Sequence, residues 1–257
     1  MPSLADLGAV AREAGALALG KWRGEFTTAR KHDGSIVSEV DHAVDALLKT
    51  RLRDLDPQAG WLSEETADNA ERLLIPRVWI VDPIDGTRDF VRGRPGWAVS
   101  IAYAEGGRVT MAVLDAPARD EHWAAEAGAG SFCNANKIMC ASRTQLAGAR
   151  VPTDFLAAVD ADLTMVSKPN SIALRMAMVA RGDADLLASI RWGKEWDVAA
   201  ATLIAQEAGA TVTDALGNPL RFNSTKGEAF GVLATCPNIH AAAVERLAER
   251  AAELIKR

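Results

Sequence analysis

Two carboxylates three residues apart, Asp82 and Asp85, stand in the run Trp79-Ile80-Val81-Asp82-Pro83-Ile84-Asp85-Gly86-Thr87. The apolar, β-branched residues before them read as a buried strand, ending at Asp82-Pro83, that delivers the acids into a tight turn. Pro83 fixes φ and removes a backbone donor, and Gly86 lets the backbone come close to a ligand. Thr87 stands at an expected helix start, where free N–H groups form a ready anion site. Two acids beside an anion site repel the anion unless a cation lies between them. The run therefore makes physical sense chiefly as a metal-and-phosphate site. Its donors are carboxylate, carbonyl and hydroxyl oxygens, with no histidine or thiol cluster for zinc, which suits a hard ion such as Mg²⁺. Taken alone, Asp82 and Asp85 serve equally well as a turn former and a helix cap.

Other acids stand at the starts of expected elements. Glu64 and Glu65 follow Trp61-Leu62-Ser63, Glu195-Trp196-Asp197 opens one helix, and Ser38-Glu39-Val40-Asp41 opens another. Each has a plainer reading: a solvated face for Glu64 and Glu65, an N-cap for Asp197, an ordinary capped start around Asp41. His32, His42, His122 and His240 are scattered without ligand spacing and read as surface or packing residues. Gly128 and Gly130 lack the third glycine of a dinucleotide fingerprint and read as a turn. Most of the seven tryptophans are expected in the core, with Trp192 and Trp196 candidates to line a cleft beside Asp197.

The elements that must position these residues follow from periodicity. Apolar residues recur at helical spacing over 4–19 and 38–55, with Asp33-Gly34-Ser35 a turn signal between them. Segments 97–104 and 108–114, joined by Glu105-Gly106-Gly107, read as a hairpin, and 122–127 as a further strand. Past about residue 145, short apolar runs at 163–166, 184–189 and 231–235 alternate with helical segments at 171–181, 197–208 and 238–256. The reading is an α+β half, residues 1–145, carrying most of the acids, and an α/β half, residues 146–257, carrying Asp197. A cleft between the halves is the expected place for a ligand.

Composition narrows the function. The 257 residues are 49 % hydrophobic and 25 % charged, ordinary for a globular chain. A net charge of −5 without a sustained basic stripe argues against a nucleic-acid polymer as partner. A phosphorylated ligand would be held by metal ions or a few local cations. Cys133, Cys140 and Cys236 show no pairing pattern and suit a reducing compartment, so a cytoplasmic location is expected. No apolar run approaches the ~18 residues of a membrane span.

Taken together, the four acidic segments resemble the inositol monophosphatase family, Mg²⁺-dependent, lithium-sensitive phosphomonoesterases. The family signature D-P-[IL]-D-G-T is complete at 82–87. Its G-E-E element appears as Ser63-Glu64-Glu65, with Ser in place of Gly. Its W-D-x-A-A-G element appears as 196–201, with Ala201 in place of Gly. The resemblance implies a five-layered α/β/α/β/α sandwich, usually a homodimer. It implies Glu64, Asp82, the Ile84 carbonyl and the Thr87 hydroxyl on a first Mg²⁺, and Asp82, Asp85 and Asp197 on a second. It further implies that Glu65 supports a weaker third ion through water, that Asp41 and Thr87 orient and deprotonate the nucleophilic water, and that the Gly86 and Thr87 amides hold phosphate.

Three substrates fit such a site: inositol monophosphate, a 3′(2′),5′-bisphosphate nucleotide such as 3′-phosphoadenosine 5′-phosphate, and histidinol phosphate. Inositol phosphatases tend to carry a short polar amide where this chain has Arg175, whereas bisphosphate nucleotidases tend to carry Lys there, and a fixed cation suits a second phosphate. Glu195-Trp196-Asp197 resembles the bacterial CysQ-type nucleotidases. Arg175 and Glu195 are therefore the expected substrate-reading residues, and the bisphosphate nucleotide the expected substrate. A catalytically silent, metal-binding regulator would have lost Asp41, Thr87 or a ligand, and all are retained.

Overall fold

The computed structural model describes residues 2–32 and 34–256. Asp33 of the expected turn lies outside the described residues. Helices α1 (Leu4–Lys21) and α2 (Glu39–Leu55) flank a small hairpin, β1 (Thr28–Arg30) and β2 (Ile36–Ser38). Then follow β3 (Gly60–Ser63), β4 (Arg77–Asp85) and the short α3 (Thr87–Val91). A meander continues with β5 (Ala98–Glu105), β6 (Arg108–Ala116), β7 (Glu121–Glu126), β8 (Gly130–Cys133) and β9 (Asn136–Lys137). The second half holds β10 (Arg150–Pro152), β11 (Thr164–Val166), α4 (Ile172–Arg181) and β12 (Leu186–Lys194). It ends with α5 (Glu195–Glu207), β13 (Thr211–Thr213), β14 (Glu228–Thr235) and α6 (His240–Leu254).

Local signals explain the helix starts. Ser3 and Ser38 each form a reciprocal cap with the aspartate three residues on, Asp6 and Asp41. Ser171 caps α4, which ends on Gly182 in the left-handed conformation.

Five layers result. Strands β3 to β9 form a seven-stranded sheet in sequence order, antiparallel except for the parallel β3–β4 pair. Alternation along β4 sends Trp79 and Val81 to one face, against Leu7, Ala11, Val44 and Leu48 of α1 and α2. Ile80 goes to the other face, with Leu174, Ala177, Ala200 and Ile204 of α4 and α5. The far side of α4 and α5 meets Val212, Val232 and Ala234 of a three-stranded sheet ordered β12-β14-β13. That sheet's opposite face, through Leu186 and Leu233, carries Ala243 and Leu247 of α6. This is the expected five-layered sandwich.

In the second half β14 runs antiparallel to both its neighbours, so β12 and β13 point the same way and α5 connects them across it. Strands β3, β8, β10 and β13, of three or four residues, are too short to show a period and were not expected from the sequence, whereas β11 falls on the expected run at 163–166. Strand β4 does not end at Asp82-Pro83 but continues to Asp85. Pairing shifts between Asp82↔Ser100 and Asp85↔Ala98, so one extra residue sits on β4. In a regular strand residues three apart face opposite sides; the bulge turns both aspartates to the α4–α5 side.

Candidate active site

At the end of β4 the chain must turn sharply under a crowded roof. Gly86 has φ +97°, and a Cβ there would come 2.6 Å from the Gly96 carbonyl and 2.9 Å from the Ser171 amide. Only glycine fits. The turn feeds α3, whose first residue, Thr87, places Oγ1 3.0 Å from the Ile84 carbonyl and 3.2 Å from Asp41 Oδ1. Asp41 reaches there from the first turn of α2, where its Oδ2 accepts from the Ser38 amide at 2.8 Å.

Glu64 follows β3, and its amide donates to the Val81 carbonyl, which fixes it beside Asp82. Asp197 arrives from the first turn of α5, where its carboxylate accepts a backbone bond from Lys194. Carboxylate oxygens of Glu64, Asp82 and Asp197 lie within 4.8 Å of one another. Asp85 lines the same cleft but stands outside that trio. Its Oδ2 accepts from the Ser171 hydroxyl and, at 2.8 Å, from the Ala173 amide, a favourable place for an anion at the start of α4.

The electrostatics record the crowding. Burial pushes Asp82 and Asp197 well above the carboxylate range. Glu64, Asp85, Asp197 and Asp41 add repulsion at Asp82, and Asp85 and Glu64 add it at Asp197. Burial raises Asp85 to about 6, against the pull of its bonds to Ser171 and Ala173 and the charge of Arg175. Asp41 is raised by burial, with the Ser38 bonds opposing. Acids assembled at the cost of raised proton affinity gain most from a bound cation, and their oxygens are hard donors. The residues therefore fit Mg²⁺.

One cation is already built in. Lys31, in the β1–β2 turn, places Nζ 2.7 Å from both Glu64 Oε1 and Glu65 Oε1. Burial opposes its charge, but the two glutamates outweigh that and hold it protonated. Glu65 is thereby tied to Lys31 and does not line the cleft, among the described residues. Ser63, standing where the family has Gly, donates to Asp45, which also accepts from Thr66 at 2.6 Å, and so fastens the Glu64-Glu65 turn to α2.

The cleft, of about 530 Å³, is also lined by Lys168, Arg175 and Arg191. Arg175 reaches it, but its Nε donates to the Pro169 carbonyl at 3.1 Å and its Nη2 to the Asn170 carbonyl at 2.5 Å. Two of its donors thus hold the approach to α4. Glu195, expected to touch substrate, instead is fully buried and accepts from the Asn223 amide at 2.6 Å and the Ser224 amide at 2.8 Å. It anchors a loop because the first residue of α5 points away from the cleft that Asp197 faces. Trp192 stacks edge-on against Phe230 and Trp196 packs beside α4 and α5; neither lines the cleft.

Sequence reasoning missed Lys31, Lys168, Ser171 and Arg191. Ser171 stood at the start of an expected helix, but neither its cap nor its bond to Asp85 was read from the sequence. Lys31 and Lys168 lie in loops, and Arg191 lies in the second half of the nine-residue β12, beyond the apolar run that marked that strand.

The inositol monophosphatase family model matches residues 4–256. The Nus factor SuhB of Xylella fastidiosa is 37 % identical over 195 residues, covering 70 % of this chain and 69 % of that protein. The fructose-1,6-bisphosphatase/inositol-1-monophosphatase of Thermotoga maritima is 33 % identical over 217 residues, 80 % of this chain and 82 % of its own. A solved Thermotoga maritima IMPase superposes with a TM-score of 0.83 at 27 % identity, over 96 % of this chain and 97 % of that one. With the motif complete, the acids gathered and the match end to end, the chain belongs to the inositol monophosphatase family of phosphomonoester hydrolases.

Proposed function

We propose that the protein is a Mg²⁺-dependent phosphatase that hydrolyses a small phosphorylated metabolite, with a 3′(2′),5′-bisphosphate nucleotide as its substrate. The observation that carries the reading is the convergence of Glu64, Asp82 and Asp197 within 4.8 Å, beside the Asp41–Thr87 pair. Glu64, Asp82, the Ile84 carbonyl and the Thr87 hydroxyl would hold one Mg²⁺, and Asp82, Asp85 and Asp197 a second. Glu65, paired with Lys31 and outside the cleft lining, would reach a third ion only through intervening water. Bound ions supply charge neutralisation for the phosphoryl oxygens and the leaving alkoxide.

The chain's own groups do the rest. The Gly86 and Thr87 amides hold the phosphoryl group against the turn. Thr87 orients the attacking water in line with the ester bond and passes a proton to Asp41 Oδ1, the oxygen that the Ser38 cap leaves open. Burial raises the proton affinity of Asp41, which suits it to receive that proton.

The bisphosphate nucleotide is supported by Lys168, Arg175 and Arg191 on the cleft wall, more cations than one phosphate needs. Inositol 1-phosphate is the second reading, supported by the names of the relatives. A cytoplasmic homodimer accords with three unpaired cysteines and with the family resemblance. No helix among the described residues is long and apolar enough to cross a membrane.

The test is phosphate release from 3′-phosphoadenosine 5′-phosphate, inositol 1-phosphate and histidinol phosphate, with Mg²⁺ or with EDTA. Release only with Mg²⁺, greatest on the nucleotide, is expected. Release in EDTA overturns the metal reading, and preference for inositol 1-phosphate moves the assignment to the second reading.

A further inference from the structure

A larger cleft, of about 820 Å³, runs alongside the acidic one. Ile36, Arg88, Lys168 and Asn170 line both, so the two are continuous. The lining of the larger cleft is strongly basic, although the chain as a whole carries a net charge of −5. Arg88 leaves α3, and Arg92 and Arg94 follow in the next turn; all three side chains are exposed. Among the described residues their guanidinium groups make no hydrogen bond or ion pair. Arg30 adds a fourth, with one donor committed to the Gly34 carbonyl at 3.1 Å.

Neither acid of this cleft forms an ion pair with them: Asp154 is paired with Lys168 at 2.9 Å, and Asp89 turns its Oδ2 to the Asn170 amide at 3.0 Å. Four arginines against one unpaired acid leave a net positive cleft, and a bound anion relieves their mutual repulsion. Guanidinium forks match phosphate oxygens in paired hydrogen bonds, which an ammonium does not do.

We infer that the cleft of Arg88, Arg92 and Arg94 is a second anion site, which seats the distal phosphate of a doubly phosphorylated substrate while its other phosphate lies over the acidic trio. This rests on the phosphatase reading above but moves the selection of the second phosphate from Arg175, two of whose donors hold the Pro169 and Asn170 carbonyls, to three arginines without partners. Arg88, on the shared wall, bridges the two positions. A singly phosphorylated ester leaves the larger cleft to water.

The test compares the Arg92→Glu/Arg94→Glu variant with the parent protein on 3′-phosphoadenosine 5′-phosphate and on adenosine 3′-phosphate, which differ only in the second phosphate. The ratio of kcat/KM between the two is expected to fall about ten- to a hundred-fold, the range for losing a charge-assisted contact. Arg92→Lys/Arg94→Lys should recover part of it. Titration of 3′-phosphoadenosine 5′-phosphate in EDTA reads the same site without turnover, and binding should weaken about tenfold or more in the Glu variant. An unchanged ratio, an equal loss on both substrates, or a parent protein that fails to bind in EDTA overturns the second site while leaving the phosphatase standing. A parent protein that releases no phosphate from any ester, yet binds in EDTA through these arginines, overturns the phosphatase reading and keeps the anion site. A variant that changes only its sedimentation assigns the surface to contact between copies of the chain and overturns the inference.

Discussion

Thr87 Oγ1 lies 3.2 Å from Asp41 Oδ1, a contact that joins the first turn of α2 to the first residue of α3. Asp41 divides its oxygens: Oδ2 closes the cap on Ser38, and Oδ1 is left for Thr87. One carboxylate thus both starts a helix and meets Thr87. If both residues act on the same proton, their losses do not multiply. The double variant Asp41→Asn/Thr87→Ala should be little slower than the slower single variant, whereas Thr87→Ser should keep most of the rate. Single-turnover rates for the four proteins decide this, and multiplicative losses would remove the shared role.

Asp82 sits at the centre of the trio and is raised by burial and by four neighbouring acids. If Asp82 holds the proposed ions, Asp82→Asn should lower kcat by several orders of magnitude. The same change takes a repelled charge out of the core. In EDTA near pH 7.5 the variant should therefore melt at least ~2 °C higher than the parent protein, as about 1 kcal/mol gives for a chain of this size. Lower stability would mean that the carboxylate is matched by partners in the metal-free fold.

Lys31 competes with any ion for Glu64. Its pair with that glutamate is partly exposed, and such pairs are worth at most ~1 kcal/mol. Lys31→Met should lower the Mg²⁺ concentration for half-maximal activity by up to about fivefold. An increase in that concentration would show that Lys31 assists the ion or the phosphate instead.

Asp82, Asp85 and Asp197 are all raised above the values they have in an unfolded chain, Asp85 to about 6. The folded, metal-free protein therefore binds more protons than the unfolded chain between pH 4 and 6 and upward, and its stability falls as pH rises through that window. In EDTA the melting temperature should climb as pH is lowered from 7 towards 5. Mg²⁺ should flatten that slope and release protons on binding, read as a buffer-dependent calorimetric heat near pH 6. A heat independent of the buffer would contradict the raised values.

Glu195 accepts two backbone hydrogen bonds in the core and has no exposed surface. Glu195→Ala leaves the Asn223 and Ser224 amides without acceptors and should cost about 1–3 kcal/mol for each unsatisfied group. Relative rates on the three substrates should stay within about twofold, because the anchor lies outside the cleft. A changed preference with unchanged stability would return Glu195 to the substrate.

Much of the site was legible because its chemistry is local. The spacing of Asp82, Asp85, Gly86 and Thr87, the capped start at Ser38, and the apolar, β-branched run Trp79-Ile80-Val81 are short-range patterns, set by backbone sterics and by periods of 2 and 3.6 residues. They identify the family and the layers. Three things needed the tertiary structure. The bulge that turns Asp82 and Asp85 to one face depends on pairing with Ser100 and Ala98 of another strand. Lys31 meets Glu64 and Glu65 only because the β1–β2 turn folds over the end of β3. Arg175 and Glu195 look alike to the sequence as charged residues at helix starts, but the carbonyls of Pro169 and Asn170 and the amides of Asn223 and Ser224 decide what each one holds. Periodicity assigns a side chain to a face; which partner satisfies its hydrogen bonds depends on segments far away in the chain, and only packing brings those together.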